Sequence, residues 1–463
     1  MRLAARAGGA GGHSSGGGSH SSGGGGSSHH SSSSSSSGSG GSGGGISAIF
    51  CLLFFGVLIL IVILALRAKR NQSGVVAEPI VAPDEDAEKL AAGLAAIPGF
   101  QIEVFRQKVA DAFQRIQAAW SAQSLAEVRP FISDGIYQRF ATQFRMMSLL
   151  KQRNALTNVR ILRIEPVAAT RDGEYDVLQV YIAAAMNDAF VCELDHSLDS
   201  EGDDPFVEYW SFIRKQQPAK DGDIYQDKGC PSCGAPLPQD MGELCRCQYC
   251  QVMVNSGEFD WVLAEITQEG DYGRHSEMAA RVSPQLAEAV ADLTREAPDL
   301  AVQLIEDKAS NAFMQIMTAL ATRNPSLVRR FVSDDALAAI TAMIPPESII
   351  FNRIYLNEVV LLDATRANGR HVLNVGMTAT MQRVEIGSGN RFVPVDDEEV
   401  KSGYMLVLER AAHAVPDKGA LYQHQCPNCS GAIGDTLDVN CQYCGVPLNS
   451  ANNEWIVTGF RSC

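Results

Sequence analysis

The sequence predicts an α+β protein of two tandem, duplicated halves, each with helices followed by an antiparallel sheet and an inserted zinc ribbon, behind one transmembrane helix. Three observations carry this reading. The 21 residues from Ile46 to Leu66 are free of charge. Between Pro98 and Asp134, 11 of 37 positions are identical to those 200 residues later. Eight of the 12 cysteines form two sets of paired Cys-x-x-Cys.

A chain of 463 residues fits two to four domains of roughly 100 to 200 residues each. Its 46% hydrophobic and 20% charged residues are ordinary for a globular protein and exclude disorder for the chain as a whole. Residues 1–45 are the exception: 17 Gly, 16 Ser and 4 His make a tail that cannot bury a core. His13, His20, His29 and His30 offer metal-binding groups, but in a flexible Gly/Ser segment they read as part of a solvated spacer.

Residues 46–66 are long enough to cross a hydrocarbon core of about 30 Å. A signal peptide would carry its basic region just before a shorter apolar stretch; here Arg67, Lys69 and Arg70 follow it. A buried core helix is seldom apolar over such a length. The basic flank lies on the C-terminal side, so the positive-inside rule puts the rest of the chain in the cytoplasm, anchored by a single pass in the cell inner membrane. The acid-free, Ser- and Arg-containing start also has the composition of a mitochondrial transit peptide, which makes the mitochondrial inner membrane the second placement.

Residues 67–85 read as a linker, 86–270 as the first domain and 271–463 as the second. In the first, Phe105, Val109, Phe113, Ile116 and Trp120 form one apolar stripe at helical spacing. Ser124 and Glu127 form a capping box for a short helix limited by Pro130, and Ser133 caps a third helix carrying Ile136, Phe140, Phe144 and Met147. The duplicated positions include Lys108 and Lys308, Phe113 and Phe313, Arg129 and Arg329, and Ser133 and Ser333. In the second copy Asn324-Pro325 supplies a cap with proline at the first helical position.

Strand candidates follow in each half. They are 159–167, 175–184, 189–194 and 207–215 in the first, and 354–362, 371–383 and 403–410 in the second, rich in Val, Ile and Tyr. Helices first and strands afterwards argue for an antiparallel sheet and against alternating β-α-β units.

Cys230, Cys233, Cys247 and Cys250, and then Cys426, Cys429, Cys441 and Cys444, have the spacing of zinc ribbons over residues 228–254 and 424–448. Disulfides are the competing reading, disfavoured because a cytoplasmic location keeps thiols reduced. Four thiolates leave no open position, so both zinc ions are structural. Cys245 is a fifth thiol beside the first set. Both copies read Cys-Gln-Tyr-Cys at the second knuckle with a tryptophan 11 residues beyond (Trp261, Trp455), which makes Cys245 a bystander. Cys51, Cys192 and Cys463 have no partner pattern. Each ribbon is expected inside the hairpin that joins the last two strands of its half.

The run from Ala112 to Trp120, the segment Phe131-Ile132-Ser133-Asp134, and the strands Glu208 to Arg214 and Trp261 to Leu263 resemble the C-terminal domain of subunit 44 of the mitochondrial inner-membrane import translocase. Bacterial membrane-anchored proteins carry a similar domain. The resemblance covers residues 98–267, and more weakly 298–460, where Leu320 stands in place of a tryptophan. It implies a cone of the nuclear-transport-factor-two-like type, with helices over a curved sheet around an apolar pocket, acting as a membrane-associated protein-interaction domain. A transmembrane helix, a second copy and a ribbon in each copy are departures from that pattern.

The expected function is therefore non-catalytic binding of a polypeptide or a membrane protein complex, in protein translocation or membrane-complex assembly. A small-molecule or lipid binder, or an enzyme, using the cone pocket is the alternative. For catalysis the candidates are Asp176, Asp188, His196 and His371, each with a surface or loop role as its competing reading, and G-x-S-x-G, P-loop and H-E-x-x-H patterns are missing. Trp120, Phe113 and Phe140 are candidate pocket residues, though aromatics at helical spacing more often form core. The acidic runs Asp199, Glu201, Asp203, Asp204 and Asp396, Asp397, Glu398, Glu399 read as solvated turns or as a docking edge for a basic partner. With a formal charge of -15 on the whole chain, the third reading, ribbons that read nucleic acid, is disfavoured.

Overall fold

A computed structural model describes residues 5–6, 9–10, 87–218, 222–297, 300–345, 347–414, 426, 428–429, 431, 433 and 438–463. The expected transmembrane span 46–66 and linker 67–85 lie outside the described residues. Among the described residues no helix is long and apolar enough to cross a membrane.

The first half consists of helices α1 (Ala87–Ala95), α2 (Ile102–Ala122) and α3 (Asp134–Leu149), then strands β1 (Gln152–Asp172), β2 (Tyr175–Cys192), β3 (Ser200–Gly202), β4 (Phe206–Lys215) and β5 (Val262–Gln268). The second repeats the order with α4 (Leu286–Glu296), α5 (Val302–Thr322), α6 (Asp334–Ala342), β6 (Ile349–Ala367), β7 (Arg370–Gly387), β8 (Arg391–Pro394), β9 (Val400–Ala411) and β10 (Ile456–Ser462). Apart from a two-stranded pair of Ala5–Arg6 with Gly9–Ala10, the sheet of each half is antiparallel and five-stranded, ordered β1-β2-β4-β5 with β3 on β2, and β6-β7-β9-β10 with β8 on β7. The architecture is thus α+β with helices before sheets.

Local chemistry explains the repeated boundaries. The Ser133 side chain accepts from Ile136 N at 3.1 Å and Ser333 from Ala336 N at 3.2 Å, so one capping device starts α3 and α6. The segment after Ser124 is not an α-helix. It forms turns and a 3-10 turn at Arg129–Phe131, where Pro130 has no N–H to continue a helix, before the chain becomes extended at Ile132. The candidate strands 175–184 and 189–194 are one strand, β2, in which Ala185, Asn187 and Asp188 pair with β1 across a register shift. β1 and β6 each carry three register shifts along their length. Such bulges bend a strand and raise its twist.

Trp120, Phe113 and Phe140 are at most 4% exposed and belong to the core. Trp120 packs on Phe140 and Phe144, and Phe113 on Trp210 and Phe206.

The two cores are not separate. Met146, Leu150, Phe190 and Cys192 of the first half lie in the same buried cluster as Phe313, Ile316 and Leu320 of the second. Helix α5 is therefore covered on both sides, whereas its counterpart α2 leaves Glu103, Gln107, Gln114 and Ala118 exposed. Ala309, Ser310 and Ala312 are the small residues, all fully buried, that permit this packing.

Each half caps a helix of the other. Asp172, the last residue of β1, accepts from Val302 N at 2.8 Å and Gln303 N at 2.7 Å at the start of α5. Asp307 on α5 accepts from Gly135 N at 3.1 Å and from Ser133 Oγ at 2.5 Å at the start of α3. Arg139 adds a bidentate pair with Glu265 and a 2.6 Å bond to Ser310 Oγ. Thr142 and Thr318 meet at 2.9 Å, and Gln152 donates to Asn352 at 2.9 Å.

A Cβ on Gly135 would sit 2.2 Å from Asp307 Oδ1. Gly135→Ala is expected to destabilise the protein by about 1–3 kcal/mol through overpacking, while Gly202→Ala, with open space around it, should stay within about 0.5 kcal/mol. Urea unfolding curves of the two variants measure the difference.

Candidate metal centres and their anchors

Two four-sulfur groups form in the connections between β4 and β5 and between β9 and β10. In the first, Cys230, Cys233, Cys247 and Cys250 converge, with Cys230 to Cys250 at 3.6 Å and Cys233 to Cys247 at 3.8 Å. In the second, Cys426 to Cys444 is 3.5 Å and Cys429 to Cys441 is 3.7 Å. A tetrahedral ion with metal–sulfur bonds near 2.3 Å needs sulfur edges of about 3.8 Å, whereas a disulfide needs about 2.05 Å. Each cluster can therefore hold one metal ion, and the eight cysteines are free thiols. In each group the first and third cysteines are buried and the second and fourth exposed.

Turn chemistry places the sulfurs. Cys230 N donates to Ala235 O and Cys247 N to Val252 O; Cys426 N donates to Gly431 O and Cys441 N to Val446 O. Each bond closes a tight turn between the paired cysteines. The fourth residue after the leading cysteine takes a left-handed conformation, filled by Gly234 (φ 75°), Gly445 (φ 75°) and, unusually, Gln251 (φ 63°). At the exposed fourth ligand Cys444, a hydrogen bond from the Asn428 side chain holds the thiol down to about 6, in favour of the thiolate that binds metal.

Cys245 lies outside the first four-sulfur group. It is fully buried, donates to the Arg129 carbonyl at 3.5 Å, and burial pushes its thiol up to about 12. Arg129 ties the ribbon to the core: its guanidinium donates to Gly242 O at 2.8 Å, Glu243 O at 2.7 Å and Asp134 at 2.5 Å. Tyr225 stacks on Phe131 with ring centroids 4.6 Å apart.

At the exit of each ribbon a second constellation recurs. Asp260 and Glu454 precede the two tryptophans and accept from Trp261 N at 2.8 Å and Trp455 N at 2.7 Å. Each also pairs with a lysine of the long helix, Lys108 with Asp260 and Lys308 with Glu454 at 3.5 Å. Arg214 lies 4.8 Å over the Trp261 ring and Arg410 4.7 Å over that of Trp455. The paired lysines and tryptophans are visible in the sequence; their acidic partners are not matched in type. An alignment of the two copies through the tryptophans brings out the acid before each one.

The catalytic candidates separate. Asp176 and His371 occupy one register position: Asp176 lies between Arg171 and Arg214, His371 between Arg366 and Arg410. Both are 1% exposed. Burial raises the Asp176 carboxyl against the pull of Arg171 and Arg214. Where the second half has histidine, Glu296 supplies the acid, 2.5 Å from Arg366 and 3.7 Å from His371. Asp176 thus offsets arginine charge from the register position itself, whereas in the second half the acid comes from Glu296 outside it. Asp188 accepts from Asn154 at 2.6 Å, which in turn accepts from Trp120 Nε1 at 3.0 Å. His196 is exposed, 3.1 Å from Asp199. The sequence reading missed Glu208, which is fully buried and accepts from Trp210 Nε1 at 2.9 Å and Gln268 at 2.8 Å.

The acidic runs are partly tied down. Asp199 accepts from Cys192 N, Asp396 is gripped by Arg383 and Glu399 pairs with Arg353, while Asp203 and Asp204 are exposed.

Residues 87–224 match the Tim44-like domain family. Among solved structures the chain is similar to an "Ntf2 like protein involved in plasmid conjugation", at 9% identity, over 75% of this chain and 96% of that one, with a TM-score of 0.15. It is also similar to one titled "Crystal structure of lipopolysaccharide binding protein", at 8% identity, over 61% and 78%, with a TM-score of 0.10. Scores this low carry no argument about either protein's activity. No curated protein matches the chain.

Cys247→Ser and Cys441→Ser are each expected to lose one of two bound metal ions, and Cys245→Ser to keep both. Elemental analysis of the purified protein counts them; metal loss in the Cys245 variant would contradict the ligand set.

Proposed function

We propose that this chain is a membrane-anchored, non-catalytic protein-interaction module that serves protein translocation or the assembly of a membrane complex. The observation that carries the reading is the Tim44-like match over residues 87–224. The apolar span 46–66 with its basic C-terminal flank is the anchor and leaves both halves in the cytoplasm. The acidic balance of the chain favours polypeptide over nucleic acid as the partner.

The metals are two structural zinc ions. All-thiolate, four-coordinate sites suit zinc and leave no position for substrate. Binding free energy on the order of 10 kcal/mol is available to order ribbons too small for a core of their own. The knuckles display Tyr249 and Tyr443, 69% and 65% exposed, as recurring aromatic contact points. A non-catalytic role is supported by the arrangement of the buried acids: Asp176, Asp188 and Glu208 are engaged by cross-strand arginines, an asparagine and an indole that hold them in place.

Photo-crosslinking in cells from Tyr249, Tyr443 and exposed positions on α2 tests the reading, with mass spectrometry of membrane-extracted adducts. Recurrent adducts to one polypeptide or complex are expected. Adducts to lipid or a small metabolite alone would overturn it in favour of a ligand-binding cone.

A further inference from the structure

We infer that the two metal ions are held unequally: the first ribbon is built into the core of its half, whereas the second depends on its ion for order and opens when that ion is withdrawn. The inference rests on the reading of both four-sulfur groups as zinc sites. It makes the second ribbon a metal-responsive element on an otherwise fixed body.

The ribbons align through their second knuckles at an offset of 194, which pairs Cys247 with Cys441 and Trp261 with Trp455. At that offset the side chains that join the first ribbon to the core are replaced. Cys245, Met253 and Phe259 are at most 5% exposed and belong to the core of the first half. Their counterparts are Val439 and Asn453, both half-buried, and the exposed Pro447. Val254 is likewise part of the first core. Its counterpart Leu448 lies with Cys426, Ile433 and Cys441 in a small cluster that, among the described residues, is separate from the core of the second half.

Arg129 shows the same difference in a charged group. It is fully buried, donates to Gly242 O and Glu243 O of the first ribbon and pairs with Asp134. Its repeat equivalent Arg329 is exposed. Opening the first ribbon therefore uncovers apolar side chains and removes hydrogen bonds from a buried cation, both of which cost free energy. Opening the second uncovers little beyond its own small cluster, so its ion supplies most of its order. An ion leaves a four-thiolate site only as ligands detach, and the second and fourth cysteines are exposed in both groups. Access is thus alike, and the cost of opening sets the difference in release. The Lys308–Glu454 pair and the Arg410–Trp455 contact lie beyond the second ribbon, so the last hairpin of the sheet stays joined when it opens. What changes is the knuckle that displays Tyr443.

Transfer of zinc from the full chain, loaded in detergent micelles, to an excess of a chromogenic pyridylazo chelator tests the inference. Two phases of one ion each are expected, with rates at least about tenfold apart. Hydrogen exchange assigns them without any substitution. After the fast phase, peptides over residues 441–450, in which the Cys441, Gly445 and Leu448 amides are hydrogen-bonded within the ribbon, should lose protection, while peptides over 247–256 keep it. Cys441→Ser should retain the slow phase and Cys247→Ser the fast one; if either variant does not fold, the exchange pattern decides. One phase for both ions, or a fast phase that unprotects 247–256, would overturn the inference and leave the zinc reading intact. A wild-type chain that binds fewer than two ions would overturn the zinc reading, and the inference with it.

Discussion

The structure depends on an exchange of carboxylates between its halves. Asp172 closes the start of α5 and Asp307 closes the start of α3. A helix N-terminus leaves four N–H groups without intrahelical partners, and burying it uncapped costs about 1–3 kcal/mol for each unsatisfied group. Once α5 is enclosed between its own sheet and α3, each start needs an acceptor from across the junction. The close approach of Asp307 to Gly135 and of Leu300 to Gly173 shows how little space the arrangement leaves. Duplication has thus produced a fused body in which the second core takes in Met146, Leu150 and Phe190 of the first.

The same logic explains why the ribbons sit where they do. Each interrupts the last hairpin of a sheet, and a long insertion there would separate the paired strands without a clamp at its ends. Lysine, carboxylate, tryptophan and arginine form that clamp in both halves, joining the long helix to the start of the last strand. Lys308 and Glu454 are each 6% exposed, so removal of one partner leaves a buried charge, which costs about 3–5 kcal/mol. Metal binding then orders what lies outside the clamp.

Much of this was legible in the sequence because it is local. Helical stripes, the Ser133 and Ser333 caps and the cysteine spacing depend on neighbours within a few residues, and duplication made each signal appear twice. What was hidden is long-range. Asp172 and Asp307 look like ordinary surface acids until the halves are docked, and the shared position of Asp176 and His371 between arginines appears only once strand register is known. The two strand candidates of β2 are separated by Asn187 and Asp188, which interrupt its apolar pattern, although both pair with β1 and the strand runs through them. The short helix expected after Ser124 forms only turns and a 3-10 turn. Pro130 has no N–H to continue a helix, and the chain turns extended at Ile132, which bridges to Leu263.

The claim on which the account rests is that the duplicated halves form one cooperative body. Hydrogen exchange followed by mass spectrometry over sub-denaturing urea tests it most directly, through amides in β4 of the first half and β9 of the second. The account predicts that the two sets merge into one opening with the same free energy and the same urea dependence. Two openings that stay distinct across the series, with one half exchanging while the other remains protected, would contradict it.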